Sequence, residues 1–338
     1  GMAGSVNTPP NKDIRWEKTT TVNVGVDFAL FRHRLSGTIE YYNKYSVDLL
    51  AAINGSPTQG FGYTTLMTNN GKMVNRGVEI TLSGEIIRQK DFSWNASLLY
   101  AFNRNKVKHI SVQPSLWDSR ISMPTSYPMV GKPLYGIYAY KWAGLNENGD
   151  PQVYDAENNV TSGPARDYHA LVYCGTTVPI HNASLTNVLR YKGFEFSAML
   201  ILDAGHKLRS SNIPSINMSN GRITSTAKGI VDRWTQPGDV TDVPRLLFSN
   251  DTENFNTHRT ELYRYSDLFV YDASNIRLSN ISLAYRVPAH WCKKISLSGA
   301  RLQFNVENVA TFAFDSKANY DLGGKVKPNY VWGLYMIF

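Results

Sequence analysis

The 338-residue sequence lacks any run of about 18 consecutive apolar residues, so it offers no candidate transmembrane helix. Charged residues are also scarce, at 18%, whereas hydrophobic residues reach 42% and aromatic residues 12%. A chain this apolar and aromatic has to bury or embed its surface, which excludes intrinsic disorder. A membrane-spanning β-barrel stays compatible with these absences, because its apolar residues alternate with polar ones.

Cysteine is nearly absent. Cys174 and Cys292 lie far apart and outside any metal-binding spacing, which favours two free thiols or one disulfide. The net charge of +8 is spread along the chain, with the densest basic spots at 32–34 and 293–294. A nucleic-acid surface would gather its basic residues on one face, so we expect no nucleic-acid partner. The first five residues have neither a basic nor an apolar region, and we expect no signal peptide in this chain.

The dominant pattern is a period of two. Apolar residues occupy every second position from Val22 to Leu30, and the same alternation recurs along most of the chain. This period predicts antiparallel strands with one apolar face. We expect about ten strands of about ten residues each, the length that a tilted strand needs to cross a bilayer. Adjacent polar residues at Ser279 and Asn280 interrupt one run and predict a β-bulge there.

The connections between these runs alternate in length. Short turns are expected near 32–34, 88–91 and 192–193, and long excursions at about 46–71, 108–134 and 205–268. Short turns on one side and long loops on the other are typical of outer-membrane barrels, whereas a soluble sandwich has similar loops at both ends. The sequence therefore predicts an all-β fold: an antiparallel transmembrane β-barrel segment of about ten strands with long external loops.

The end of the chain supports this interpretation. Alternate positions counted back from the last residue are all bulky and apolar: Phe338, Met336, Leu334, Trp332 and Tyr330. A final strand of this kind resembles the assembly signal of bacterial outer-membrane barrels, whose exposed edge has to pair during insertion.

Several phrases resemble the SusC/RagA-type TonB-dependent transporters of the outer membrane. They follow the family order along nearly the whole chain, and include Arg15–Thr21, Asn70–Glu79, Val130–Gly136, Asp232–Thr235 and Ser274–Ile281. The segment Ala313–Lys317 departs from the family pattern, because it lacks the usual short acidic-proline phrase before the last strand.

The family resemblance implies a domain organisation, a function and partners that the residues alone do not. Residues 1–338 would be the C-terminal part of the barrel, with the plug domain and the first barrel half absent. The function would be part of the import of bulky nutrients, glycans or peptides, across the outer membrane. A SusD-like surface lipoprotein, TonB–ExbBD and membrane lipid would be the partners. We expect no cofactor, no metal and no enzymatic activity, since no nucleophile or acid/base constellation is present.

The long loops are rich in aromatic residues that could stack on sugars or grip peptides. The candidates for ligand binding are Trp117, Tyr138, Tyr140, Trp142 and Trp234. The same residues could equally pack the loops together. We interpret the nearby Asp239 and Asp242 as solvated carboxylates of a turn, in preference to calcium ligands or a catalytic pair.

Two other functions stay open at this point. The chain could be a small passive outer-membrane channel, or a soluble carbohydrate-binding β-protein. In any compact form we expect the strand at Thr20–Leu30 to pair with Tyr330–Phe338, because unpaired backbone groups are costly in lipid.

Overall fold

The computed structural model describes residues 11–54, 65–112, 118–163, 165, 167–218, 227–248, 258–323 and 327–338. Nine of its strands form one antiparallel sheet in the order β1-β2-β3-β4-β10-β11-β16-β17-β18. They are β1 (Lys18–Leu30), β2 (Leu35–Asn54), β3 (Thr65–Arg88), β4 (Phe92–Ile110), β10 (His181–Tyr191), β11 (Phe194–Ala204), β16 (Asn275–Arg286), β17 (Gly299–Ala313) and β18 (Asn329–Ile337). The all-β prediction is confirmed, with nine strands in the sheet instead of about ten.

The shorter connections all lie at one end of this sheet. Three are tight turns at 31–34, 89–91 and 192–193, and the fourth, 287–298, contains the short helix α3 (Ala289–Lys293). Phe31, Arg32, His33 and Lys192 have φ between 51° and 65°, the left-handed backbone that tight hairpins need. The predicted short turns are confirmed.

The long connections lie at the opposite end, but their predicted bounds are partly wrong. β2 and β3 are 20 and 24 residues long, so most of the expected excursion 46–71 is strand. The next connection runs over 111–180, further than the predicted 108–134. It holds α1 (Ser119–Ser122), β5 (Gly136–Tyr140), β6 (Trp142–Leu145), β7 (Pro151–Tyr154), β8 (Val160–Thr161) and β9 (Leu171–Thr176).

The third and fourth long connections complete this end of the sheet. Residues 205–274 hold β12 (Lys207–Arg209), β13 (Asn217–Met218), β14 (Leu247–Phe248), α2 (His258–Arg264) and β15 (Val270–Asp272). Residues 314–328 hold α4 (Asn319–Leu322). Within the described ranges, no helix is long and apolar enough to cross a bilayer.

One face of the sheet, the outer face, is apolar. The strand register aligns whole rows of such side chains across it, for example Val26, Ile39, Ile80, Tyr100, Ala183, Leu202 and Ile276. On β4 the outer face is apolar from Phe92 to Phe102, which at usual strand rise and tilt is about 25 Å of height. We call this band the apolar belt; its height matches the hydrocarbon-facing zone of an outer-membrane barrel.

The opposite, inner face is mostly polar. Arg190 Nε lies 2.7 Å from Glu195 Oε2, and Arg301 reaches the other oxygen of Glu195 at 3.1 Å. Further towards the long connections, Arg277 pairs with Asp203 at 3.0 Å. Alternation between an apolar outer face and a polar inner face is what a barrel with a watery lumen requires.

The predicted bulge is present. Met199 on β11 pairs with Asn280, and the next residue, Leu200, pairs with Leu278, so Ser279 is left between them. The pairing of β16 with β17 shifts at the same place. The bulge lets the apolar residues on both sides of the polar pair remain on the outer face.

The structure shows why glycine occupies position 77 of the family-like segment Asn70–Glu79. The ring of Tyr42 on the neighbouring strand lies where a Gly77 side chain would start, and the Phe102 carbonyl oxygen is 2.6 Å from that position. A side chain at this position therefore cannot fit without moving backbone, and the tyrosine ring covers the gap on the inner face.

We expect Gly77→Ala to destabilise the barrel by about 1–3 kcal/mol, the usual effect of overpacking. Gly84→Ala in the same strand is the matched control, because its new Cβ would meet only flexible side-chain ends at 3.3 and 3.8 Å and a carbonyl oxygen at 3.9 Å. Guanidinium titration of the natural full-length protein in lipid vesicles measures both. Equal midpoints for the two variants would contradict the role given to Tyr42.

The predicted pairing of Thr20–Leu30 with Tyr330–Phe338 is wrong. Within the described residues β1 pairs with β2 and β18 pairs with β17, so the two strands are the edges of an open sheet. The nine strands form an arc, and closing it this tightly would demand a shear and tilt different from those of a wider barrel.

The last strand presents its alternating residues on the outer face. Tyr330, Trp332, Leu334 and Met336 pair with Val306, Phe304, Leu302 and Ala300 of β17. The rings of Trp332 and Phe304 are 4.1 Å apart between centroids, and Trp332 is 78% exposed. Phe338 is 86% exposed at the short-turn end. This arrangement fits the predicted assembly signal, which stays a prediction.

Candidate functional site: the loop body at the barrel mouth

The connections 111–180 and 205–274 pack against each other and form what we call the loop body. Its core contains Tyr138, Tyr140, Val153, Ala165, Ala170, Leu171 and Leu262. A second cluster of Ile216, Tyr263 and Phe269 continues it, and Trp142 packs against both. The loop body therefore has a hydrophobic core separate from the sheet.

Two of the predicted ligand-binding aromatics belong to this core. Tyr138 and Tyr140 are each 1% exposed. The Tyr140 hydroxyl donates to the Ala165 carbonyl at 2.9 Å, and the Tyr138 hydroxyl accepts from the Met129 amide at 3.1 Å. Their rings hold the loops together and offer no face to a ligand in this conformation.

Trp142 and Trp234 are half-buried at the surface of the loop body. The Trp142 indole N–H donates to Asp242 Oδ1 at 2.9 Å, and its backbone N–H donates to Asp267 Oδ1 at 2.9 Å. The ring of Trp234 covers Gly149, whose φ of 73° a side chain would rarely adopt. Trp117 lies outside the described residues.

A buried ion-pair network, which the sequence analysis missed, joins the two connections. Arg259 is 1% exposed and its Nε lies 3.1 Å from Asp150 Oδ1. Arg245 binds the same carboxylate with a contact of 2.7 Å to Oδ2. Burial lowers the pKa of the Arg259 guanidinium, and the neighbouring Asp150 carboxylate opposes that shift.

Three of the four remaining N–H donors of Arg259 are used as well. It donates to the carbonyl oxygens of Ile216 at 2.9 Å and Arg245 at 2.6 Å, and to Asn217 Oδ1 at 2.7 Å. Arginine with its hydrogen bonds satisfied in this way is tolerated in a core. The sequence gives one signal: Asp150 ends the tight turn Asn146–Asp150, where side-chain capping is common.

A cavity of about 430 Å³ lies between the inner face of the sheet and the segment 125–134. Its lining is mainly apolar, with Leu49, Met67, Met73 and Leu134, and Glu17, Lys72 and His109 supply polar groups. An apolar pocket with a few polar groups is the usual form of a small-ligand site. This cavity was not predicted, because its residues come from three strands, one loop and Glu17, which precedes β1.

The predicted turn role of Asp239 is confirmed. Its Oδ2 accepts from the Thr235 N–H and hydroxyl, both at 2.8 Å, and from the Gln236 N–H at 3.0 Å. These bonds hold the pKa of the Asp239 carboxyl below its usual value. In the described part of the chain, no group of three or more His, Cys, Asp or Glu side chains is placed to hold a metal ion.

Both cysteines are free thiols, which resolves the two alternatives left open by the sequence. Cys174 lies in β9 of the loop body, and burial together with the nearby Asp267 raises the pKa of its thiol to about 11. Cys292 is buried in α3 at the opposite end of the sheet.

We expect Cys174 to alkylate slowly. A thiol with a pKa near 11 is about 0.1% thiolate at pH 8, so iodoacetamide should react with it about a hundredfold more slowly than with an ordinary cysteine. The rate should continue to rise with pH beyond 9. Mass spectrometry of timed labelling measures this, with the unfolded protein as control; a plateau near pH 8.5 would contradict it.

An apolar belt of bilayer height, a polar inner face and large loops at one end define a segment of an outer-membrane β-barrel. Comparison with known proteins gives the family. A family model described as "TonB dependent receptor-like, beta-barrel" matches residues 1–309. The chain belongs to the TonB-dependent receptor-like β-barrel family, and its strands are those of an outer-membrane protein.

Individual relatives agree with this assignment. TonB-dependent receptor P3 of Formosa agariphila is 25% identical over 346 residues, which cover 96% of this chain and 33% of that protein. TonB-dependent receptor SusC of Bacteroides thetaiotaomicron is 25% identical over 312 residues, which cover 88% of this chain and 29% of that protein. The predicted resemblance to SusC/RagA-type transporters is confirmed.

A solved structure of the RagAB peptide transporter superposes with a TM-score of 0.74 at 22% identity, over 98% of this chain and 36% of that one. That likeness concerns the fold. The chain spans about a third of the length of the curated relatives it matches.

Proposed function

We propose that this chain forms one arc of a TonB-dependent transporter that imports a bulky nutrient, a glycan or a peptide, across the outer membrane. The family match over residues 1–309 carries the proposal. A solved structure of the same fold is that of a peptide transporter, which supports the peptide class.

The open sheet supports the proposal that residues 1–338 are the C-terminal part of a larger barrel. Each unpaired edge, β1 and β18, would pair with strands of the remaining barrel, since unsatisfied backbone groups in lipid are costly. The plug domain and first barrel half would come from that remainder. A SusD-like lipoprotein over the mouth and TonB–ExbBD energy coupling belong to the same proposal.

We propose that ligand contact at the mouth uses Trp142, Trp234 and the cavity beside Met73. Trp142 and Trp234 are half-buried at the loop-body surface, and the cavity lies on the inner face of the sheet. Trp117 remains a candidate of the same kind. Tyr138 and Tyr140 would then act indirectly, by holding the loops that carry these groups. Tyr330, Trp332, Leu334, Met336 and Phe338 are proposed as the barrel-assembly signal.

The test is growth of the natural host without this gene on single glycans or peptides. We expect loss of growth on one nutrient class, and restoration by the natural full-length protein but not by residues 1–338 alone. Without the rest of the barrel the arc has no closed lumen for a nutrient to cross. Restoration by residues 1–338 alone would contradict the proposal.

A matched pair of variants tests the ligand contact. Trp234→Ala should lower nutrient uptake at limiting concentration by about tenfold, the usual effect of losing one aromatic contact. Trp291→Ala is the control, since Trp291 is 54% exposed at the short-turn end. Unchanged trypsin resistance of the loops shows that Trp234→Ala has not unfolded them, and equal uptake by both variants would argue against this contact.

A further inference from the structure

Five basic side chains gather on the outer face of the sheet, directly beyond the apolar belt. They are Arg76, Arg104, Lys106, Lys108 and Lys132, and they line a groove of about 510 Å³. The groove, which we call the basic groove, also contacts Val74, Phe102 and Tyr173. Of the described residues that line it, none is a carboxylate.

The strand register places Arg76, Arg104 and Lys106 on the lipid-facing side. Arg76 pairs directly with Arg104, and Val74 pairs with Lys106. These pairs are two and four residues along the strands from the outer-face pair Val78 and Phe102, so they lie on the same face. The segment 129–134 extends the sheet beside β4, because Val107 N–H donates to the Lys132 carbonyl at 2.9 Å. This contact brings the Lys132 ammonium to 4.9 Å from the Tyr173 ring.

Among the residues that the structure describes, no carboxylate neutralises the charge of the basic groove. In the described parts of the chain, none of the five cations has a carboxylate within 4.0 Å. Arg76 donates to Asn43 Oδ1 at 3.0 Å, which is a neutral partner. Like charges directly opposite each other in a sheet repel, so Arg76 and Arg104 favour an external anion.

The position of the basic groove indicates which kind of anion it binds. It lies at the end of the sheet that carries the long loops, which in outer-membrane barrels faces outward. The apolar belt ends at Phe102, so Arg104 and Lys106 reach the head-group layer of the outer leaflet. β3 and β4 are interior strands of the sheet, so this outer face is formed by this chain itself.

We propose that the basic groove binds the phosphorylated head group of an outer-leaflet glycolipid. The arginines offer paired N–H donors to phosphate, and the lysines add point charges. Val78, Phe102 and the rows below them would contact the acyl chains of the same molecule. A soluble phosphate would gain nothing from this apolar continuation, which is why the proposal commits to lipid.

The experiment uses the natural full-length protein, stripped of lipid in detergent, and purified bisphosphorylated lipid A as the probe. The variant combines Arg76→Gln, Arg104→Gln, Lys106→Gln and Lys132→Gln. Its matched control removes four charges from the opposite end of the sheet: Arg32→Gln, Lys90→Gln, Lys293→Gln and Lys294→Gln. Native mass spectrometry gives the dissociation constant, and far-UV circular dichroism checks that both variants retain the β fold.

We expect the groove variant to bind lipid A more than about tenfold more weakly and the control to bind as the unmodified protein does. Lipid A without its phosphates should bind all three proteins equally weakly. Equal lipid A affinity of the groove variant and the control would overturn the proposal. So would a groove variant that keeps its lipid but loses an acidic partner protein, since the occupant would then be that protein.

Discussion

Leu98→Arg is expected to destabilise the barrel by about 2–4 kcal/mol, because it places a charge near the middle of the apolar belt. Leu98 lies on the outer face of β4, opposite Leu82 on one side and Leu185 on the other. An arginine there has to be held in hydrocarbon or pulled towards the head groups, and both are costly.

The adjacent residue supplies the control. Ser97 lies on the inner face, paired with Ser83 and Thr186, so Ser97→Arg should change stability by less than about 1 kcal/mol. Guanidinium titration of the natural full-length protein in lipid vesicles gives both free energies. Equal destabilisation at the two positions would mean that the apolar face does not meet lipid.

Asp150→Ala is expected to have an effect of about 3–5 kcal/mol, confined to the loop body. The substitution leaves the Arg259 guanidinium, which is 1% exposed, without its carboxylate. Hydrogen exchange should then accelerate by two to three orders of magnitude at amides of β7 and α2, while the sheet amides keep their rates.

An exposed ion pair in the same region serves as the comparison. Lys207 and Asp272 are 37% and 40% exposed, so Lys207→Ala should change exchange rates in the loop body less than about fivefold. If Asp150→Ala had no larger effect than Lys207→Ala, the buried network would not be what joins the two connections.

The sheet could be predicted from the sequence because each membrane strand has its own signal. From Val22 onward every second residue of β1 is apolar. The polar pair at Ser279 and Asn280 likewise marks the bulge of β16 without reference to any other strand. The lengths of β2 and β3 could not be predicted, since the alternation fades where both strands extend beyond the lipid at Leu49 and Met67.

The loop body was less predictable. Tyr140, in its core, and Trp142, at its surface, lie two residues apart in the same aromatic-rich stretch, and packing alone decides which is buried. The role of Arg259 depends on Asp150, whose position in space no local pattern reveals. The open edges were missed for another reason, because the cost of unpaired strands argues for closure but does not say which strands provide it.

The pair of Asp150 and Arg259 also bears on how this protein can evolve. The two residues are 109 positions apart in the chain, yet each needs the other. A recombination event between their codons would combine the connection 111–180 of one homologue with the connection 205–274 of another. Chimeras that exchange both excursions together should keep an ordered loop body, whereas those that exchange one should not. The two connections are therefore expected to be inherited as one unit, while exposed residues at the surface of the loop body are free to diversify.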